Sequence, residues 1–179
     1  MNKKVRLVAF GGITAALYVV LTVLAATINL ASGAIQVRFS EALCILPCFT
    51  PAAVPGLAVG CFVSNLITGC DVMDVIFGSL ATLAGAVGTY LLRRNRWLCC
   101  WPPVIANCIA VPLLLIYVYG VTEYSYIMQV LFIFAGETLS CVVLGQLLYT
   151  AITRSHLDHS LFKVHEMNTK AAKGRKNGK

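Results

Sequence analysis

Apolar residues in this chain come in long unbroken runs rather than at helical or strand spacing. Residues 7–37, 42–70, 75–92 and 97–122 carry no charge, and residues 124–153 carry one, Glu137. A membrane-spanning helix needs about 20 predominantly apolar residues. Residues 5–26 therefore predict one helix, too long for the apolar core of a cleaved signal peptide. Residues 75–92 predict another, residues 97–122 a third beginning near Pro102 and Pro103, and residues 124–153 a last. The run 42–70 is too long for one crossing and short for two. Pro51 and Pro55 place a break within residues 49–56, between two under-length helices. Short helices at membrane depth are tolerated where they pack inside protein or line a cavity. The expected fold is all-α, an integral membrane bundle of six transmembrane helices, with five crossings and a re-entrant segment as the alternative.

Charge supplies the orientation. Of the 14 Lys and Arg residues, all but Arg38 fall in three groups: Lys3, Lys4 and Arg6; Arg93, Arg94 and Arg96; and the tail from Arg154 to Lys179. Basic residues stay on the cytoplasmic side of a membrane. Two crossings within 42–70 bring all three groups to that side, so both termini are expected in the cytoplasm. The outer side then holds Arg38, Glu41, Asp71, Asp74 and Glu123. Residues 1–154 read as one six-helix transmembrane domain, and 155–179 as a basic, partly disordered cytoplasmic tail. Apolar residues are 59% of the chain and charged residues 12%; mean hydropathy is +0.82. The net charge of +7 sits at membrane flanks, so anionic lipid explains it better than nucleic acid.

Several chemistries are excluded. No phosphate-binding loop, zinc-protease, nucleophile-elbow or paired CxxC motif is present. The eight Cys lie mostly in apolar segments and read as packing residues. Cys44 and Cys48 share a helix face, but no nearby His or carboxylate is expected to complete a metal site there. His156, His159 and His165 belong to the tail. No cofactor or metal is expected.

Glu137 is the sharpest candidate. A carboxylate at membrane depth must be paired, protonated or facing a wet cavity, and it accepts two adjacent N–H donors side by side. Asn107, at comparable depth, both donates and accepts. It suits a heterocycle edge or a helix–helix contact. Ser64 and Asn65 close the third expected helix near the outer side. Asp71 and Asp74 bracket the next, as N-cap and third residue. Arg38 and Glu41 are spaced for a local ion pair at the second helix, with Arg38 also a candidate for gating or ligand contact. In the first helix, Gly11 with Ala15 and Gly12 with Ala16 form two small-residue pairs that let another helix approach closely. Gly78, Ala81, Ala84, Gly85 and Gly88 form a second small face.

Residues 36–43 (QVRFSEAL), 46–57 (LPCFTPAAVPGL), 74–83 (DVIFGSLATL) and 136–139 (GETL) carry a closer likeness. Over residues 5–150 the chain resembles the QueT family of substrate-binding (S) components of energy-coupling factor (ECF) transporters. That resemblance implies uptake of a queuosine precursor, a 7-deazaguanine such as queuine or preQ1, across the bacterial cell membrane. It implies a transmembrane coupling (T) subunit and two ATPase subunits as partners, the ATPases hydrolysing ATP. It makes Gly11, Gly12, Ala15 and Ala16 the docking surface. Glu137 would take the two adjacent donors of the deazaguanine and Asn107 or Asn65 its carbonyl; Asp74, Asp71 or Glu41 would take an aminomethyl cation. An S component for a different vitamin, a solitary secondary transporter and a membrane enzyme are the competing readings.

Overall fold

The computed structural model describes residues 3–28, 38–121 and 124–155, and every regular element among them is helical. Glu123, the three His and the rest of the tail lie outside the described residues. The helices are α1 (Lys3–Thr27), a ten-residue 3₁₀ helix (Phe39–Cys48), α2 (Ala53–Ile67), α3 (Val72–Leu92) and α4 (Trp101–Tyr117). After them α5 (Tyr126–Glu137) runs through a π-helical stretch (Thr138–Leu144) into α6 (Gly145–Arg154). These last three pieces form one apolar helix of 29 residues.

Among the described residues, four helices are long and apolar enough to cross a membrane: Lys4–Thr27, Val72–Leu92, Leu98–Tyr117 and Tyr126–Arg154. The 3₁₀ helix and α2 are shorter. At about 2.0 Å per 3₁₀ residue and 1.5 Å per α residue they span about 20 and 22 Å, less than the hydrocarbon core. The expected break within residues 49–56 is real but ends sooner, at residue 52. Pro55 stands in the first turn of α2, where its missing N–H leaves no bond unmade.

Two kinds of close contact hold the bundle. A Cβ on Gly56 would lie 2.6 Å from the Gly11 carbonyl oxygen, and one on Gly60 would lie 2.7 Å from Cβ of Tyr18. Glycines thus let α2 lie backbone to backbone on α1. On α3, a Cβ at Gly85 would meet Pro103 at 2.7 Å and one at Gly88 would meet Pro102 at 2.5 Å. The small face of this helix packs within the bundle, as its composition predicts. The 3₁₀ helix is enclosed, with Ser40, Glu41, Leu43, Cys44, Ile45 and Pro47 buried.

The six segments alternate in direction. Gly11 meets Ala52, and Arg96 donates to Thr150 Oγ1 at 2.7 Å and lies over the Tyr149 ring. The start of α1, the end of α3 and the end of α6 therefore share one end of the molecule, the basic one. The ends of α1, α2 and α4, with the start of α3, gather at the other.

Large apolar side chains point outward all along the long helices, among them Val8 (75% exposed), Leu91 (71%) and Ile127 (71%). In water that surface would be prohibitive; in lipid it is the solvated face.

Candidate functional site

At the end away from the basic cluster lies a cavity of about 480 Å³ lined by Thr22, Arg38, Asn65, Asp74, Leu114 and Tyr119 among others. Asp74 enters from the first turn of α3. Asp71 caps that helix, its carboxylate accepting from the Met73 N–H at 2.9 Å. Asn65, in the last turn of α2, donates to the Asp74 carbonyl at 3.4 Å. Gly78 makes their meeting possible: a Cβ there would lie 3.1 Å from Asp74 Oδ1 and 3.2 Å from Asn65 Nδ2.

The connection after α4 closes over this end. Tyr119 donates to Asp74 Oδ2 at 3.0 Å and accepts from the Asp71 N–H at 3.2 Å. Burial pushes its phenol up to about 12, and the Asp74 carboxylate that accepts its proton adds to the shift. Gly120, at φ +64°, turns the chain after it. Gln129, 3% exposed, donates to the carbonyls of Val121 and Tyr124 and anchors the same connection.

A second polar group is buried between the 3₁₀ helix and the long last helix. Glu137 stands about 17 Å along that helix from Tyr126 and is 5% exposed. Its carboxylate has the Asn107 amide beside it and accepts from the Cys141 thiol at 3.4 Å. Glu41 is 1% exposed, accepting from the Tyr18 hydroxyl at 2.5 Å and the Cys44 thiol at 3.1 Å. One carboxylate oxygen from each Glu and the Cys141 sulfur lie within 4.8 Å of one another. Arg38, which lines the cavity, is set electrostatically against both carboxylates.

Glu41 is a correction. The sequence places it on the outer side, but the 3₁₀ helix turns it into the interior beside Glu137, with Arg38 still set against it. The cysteines are another: Cys44 and Cys141 are buried, as packing residues would be, yet each donates to a carboxylate. A carboxylate does stand beside Cys44, brought there by the 3₁₀ turn. The fold thus joins Glu137, Asn107, Glu41 and Arg38 in one group and Asn65, Asp74 and Arg38 in another. Asp71 stays exposed at its cap.

Tyr18, Cys44 and Cys141 are the participants that sequence reasoning missed. For the thiols a signal existed: Glu41 with Cys44 and Glu137 with Cys141 stand three and four residues apart, within reach on one helix face. Nothing local ties Tyr18 to Glu41, 23 residues away.

The small-residue set of α1 divides. Gly11 and Ala15 face α2, whereas Gly12 and Ala16 are exposed, and a Cβ on Gly12 would meet nothing within 4 Å. Beside them runs an apolar groove of about 390 Å³ lined by Leu7, Val8, Gly12, Pro55 and Val59 among others.

Comparison with known proteins bears on this arrangement. The family model described as QueT transporter matches residues 8–154. The queuosine precursor transporter QueT of Lactococcus lactis subsp. cremoris (strain MG1363) is 39% identical over 85 residues, 47% of this chain and 50% of that protein. The match thus spans about half the length of this curated relative. No solved structure matches.

Proposed function

The chain belongs to the QueT transporter family, and from that premise we propose that it is the S component of an ECF transporter, binding a 7-deazaguanine queuosine precursor for uptake. The observation that carries this reading is a buried carboxylate, Glu137, with a buried amide, Asn107, beside it. A 7-deazaguanine presents adjacent N1–H and amine donors, which a carboxylate accepts as a pair. The carbonyl beside them takes a donor from Asn107. A buried site that hydrogen-bonds such an edge rejects analogues lacking it, because its own polar groups are then left unpaired.

In this reading the ligand enters from the outer end, past Arg38, Asn65 and Asp74, beneath the connection that Tyr119 ties to α3. The six alternating segments are six crossings, the short pair included, in a multi-pass protein of the bacterial cell membrane. The basic end and both termini face the cytoplasm, as the distribution of Lys and Arg requires. Residues 1–154 form the binding domain and 155–179 a basic cytoplasmic tail. The energy comes from partners, a coupling T subunit and two ATPases. Their contact is the lipid-facing side of α1, where Gly12 and Ala16 are open beside the groove that Gly11 and Ala15 help to line.

The test is calorimetric titration of the purified chain in detergent with queuine, 7-aminomethyl-7-deazaguanine and guanine, repeated with Glu137→Gln. Binding of a deazaguanine that weakens at least about tenfold in the variant is the expected result. Folded protein that binds none of them rules the substrate class out.

A further inference from the structure

The charge balance of the buried group around Glu41 and Glu137, which Arg38 joins to the cavity, goes one step beyond the proposed function, and rests on it. Glu41 and Glu137 come from different elements, yet both are buried and their carboxylate oxygens lie within 4.8 Å of each other. Among the described residues the groups that donate to them are neutral, the Tyr18 hydroxyl and the thiols of Cys44 and Cys141, and the Asn107 amide beside Glu137 is neutral too. The cation set against them is Arg38, and the sequence holds no other Lys or Arg between residues 7 and 92. Ionised together, the two carboxylates facing one guanidinium carry one negative charge in excess, which either a proton held on the pair or a cation on the ligand must offset. A buried charge needs a partner of opposite sign.

The other acids among the described residues, Asp71 and Asp74, do not share this imbalance. Asp74 sits in the first turn of α3, where the helix dipole favours negative charge, and Tyr119 donates to it. Asp71 is exposed and satisfied by its cap. The hydroxyls of Ser40 and Ser140, adjacent in sequence to Glu41 and Cys141, are buried without a hydrogen-bond partner. Native proteins seldom leave such atoms open, and a polar ligand would engage them.

We infer that the site is built for a ligand carrying one positive charge, and that Glu41 is the residue that selects it. Among 7-deazaguanines this means the amine-bearing members over neutral ones such as the nitrile. Glu137 reads the ring edge that all of them share, while Glu41 receives the ammonium through a charge-assisted hydrogen bond. A divalent metal is the other cation that two carboxylates and a thiol could attract. Arg38 beside them disfavours it, and the thiols hold their protons in hydrogen bonds to the carboxylates.

The experiment is a titration of the purified full chain in detergent with 7-aminomethyl- and with 7-cyano-7-deazaguanine, for the wild type and Glu41→Gln. Gln keeps the shape and an acceptor for Tyr18. The wild type should bind the amine at least about tenfold more tightly than the nitrile. In Glu41→Gln the ratio should fall below about threefold through loss of amine affinity, with nitrile affinity unchanged. Equal wild-type affinities overturn the inference whether or not the variant folds. So does a variant that keeps the preference. Stoichiometric Zn²⁺ uptake by the wild type, lost in Glu41→Gln, would assign the excess charge to a metal and also overturn it. If neither compound binds the folded wild type, the proposed function itself fails and takes this inference with it. That result is distinct, because both binding curves vanish rather than the difference between them.

Discussion

Tyr18 and Glu41 illustrate what one side chain does in this interior. The phenol, 1% exposed, is the hydroxyl donor to a carboxylate that water does not reach. Removing one partner of a buried hydrogen bond to a charged group costs about 1.5–3 kcal/mol. Tyr18→Phe should therefore lower the thermal unfolding midpoint in detergent, measured by intrinsic fluorescence, while the exposed Tyr117→Phe should leave it unchanged. Glu137→Gln acts differently, since an amide retains one acceptor oxygen for Asn107 or Cys141. Its effect should fall on ligand affinity rather than on the melting midpoint. A variant that loses both together would return Glu137 to a structural role.

At the scale of the element, helix pairs divide the glycines into two kinds. Gly60 is a contact glycine: a Cβ would lie 2.7 Å from Cβ of Tyr18 and 3.0 Å from the Ala15 carbonyl. Both neighbours belong to a packed helix and cannot swing aside. Gly60→Ala should force α1 and α2 apart and destabilise the bundle by about 1–3 kcal/mol, the usual cost of overpacking, read as a lower unfolding midpoint. Gly12→Ala meets open space and should be neutral or slightly stabilising, because Ala favours the helix by about 1 kcal/mol over Gly. The π-helical stretch that begins one residue after Glu137 is a local feature of the same kind. Single π turns recur at functional sites, and this one follows the carboxylate on which the binding reading depends.

At the scale of the whole molecule, the question is what faces lipid and what faces a partner protein. Gly12→Leu with Ala16→Leu would fill the open side of α1 without touching the bundle interior or the buried carboxylates. If this side docks on a coupling subunit, cells carrying the double variant should lose deazaguanine uptake, while the purified variant binds ligand as the wild type does. A matched pair of substitutions elsewhere on the lipid face, Val20→Leu and Leu24→Val, should leave both intact. Uptake unchanged in the double variant would remove α1 as the docking helix. The basic end carries its own fastening. Arg96 donates to Gln146 and Thr150, Gln146 donates back to the Arg96 carbonyl, and the guanidinium lies over Tyr149. The α3–α4 connection is thereby tied to α6.

The sequence by itself determined the class of protein, because the free energy of placing apolar runs and charges about a bilayer depends on composition and length more than on tertiary contact. The four long spans, the break after Cys48, the cap at Asp71 and the small face of α3 were all legible for that reason: each is governed by residues within a few positions of one another. The family was legible too, in the blocks around Glu41, Pro51, Asp74 and Glu137. Tertiary structure alone decided which polar groups meet. Glu41 reads as a surface acid until the 3₁₀ helix is wound into the bundle. Tyr18, Arg38, Asn107 and Glu137 come from four separate segments, and no local spacing links them. It also decided which of the four small residues of α1 are open, since Gly11 and Gly12 are neighbours in sequence yet point to different surroundings. A buried hydrogen-bond group depends on packing across the chain, and one sequence carries no direct record of that packing.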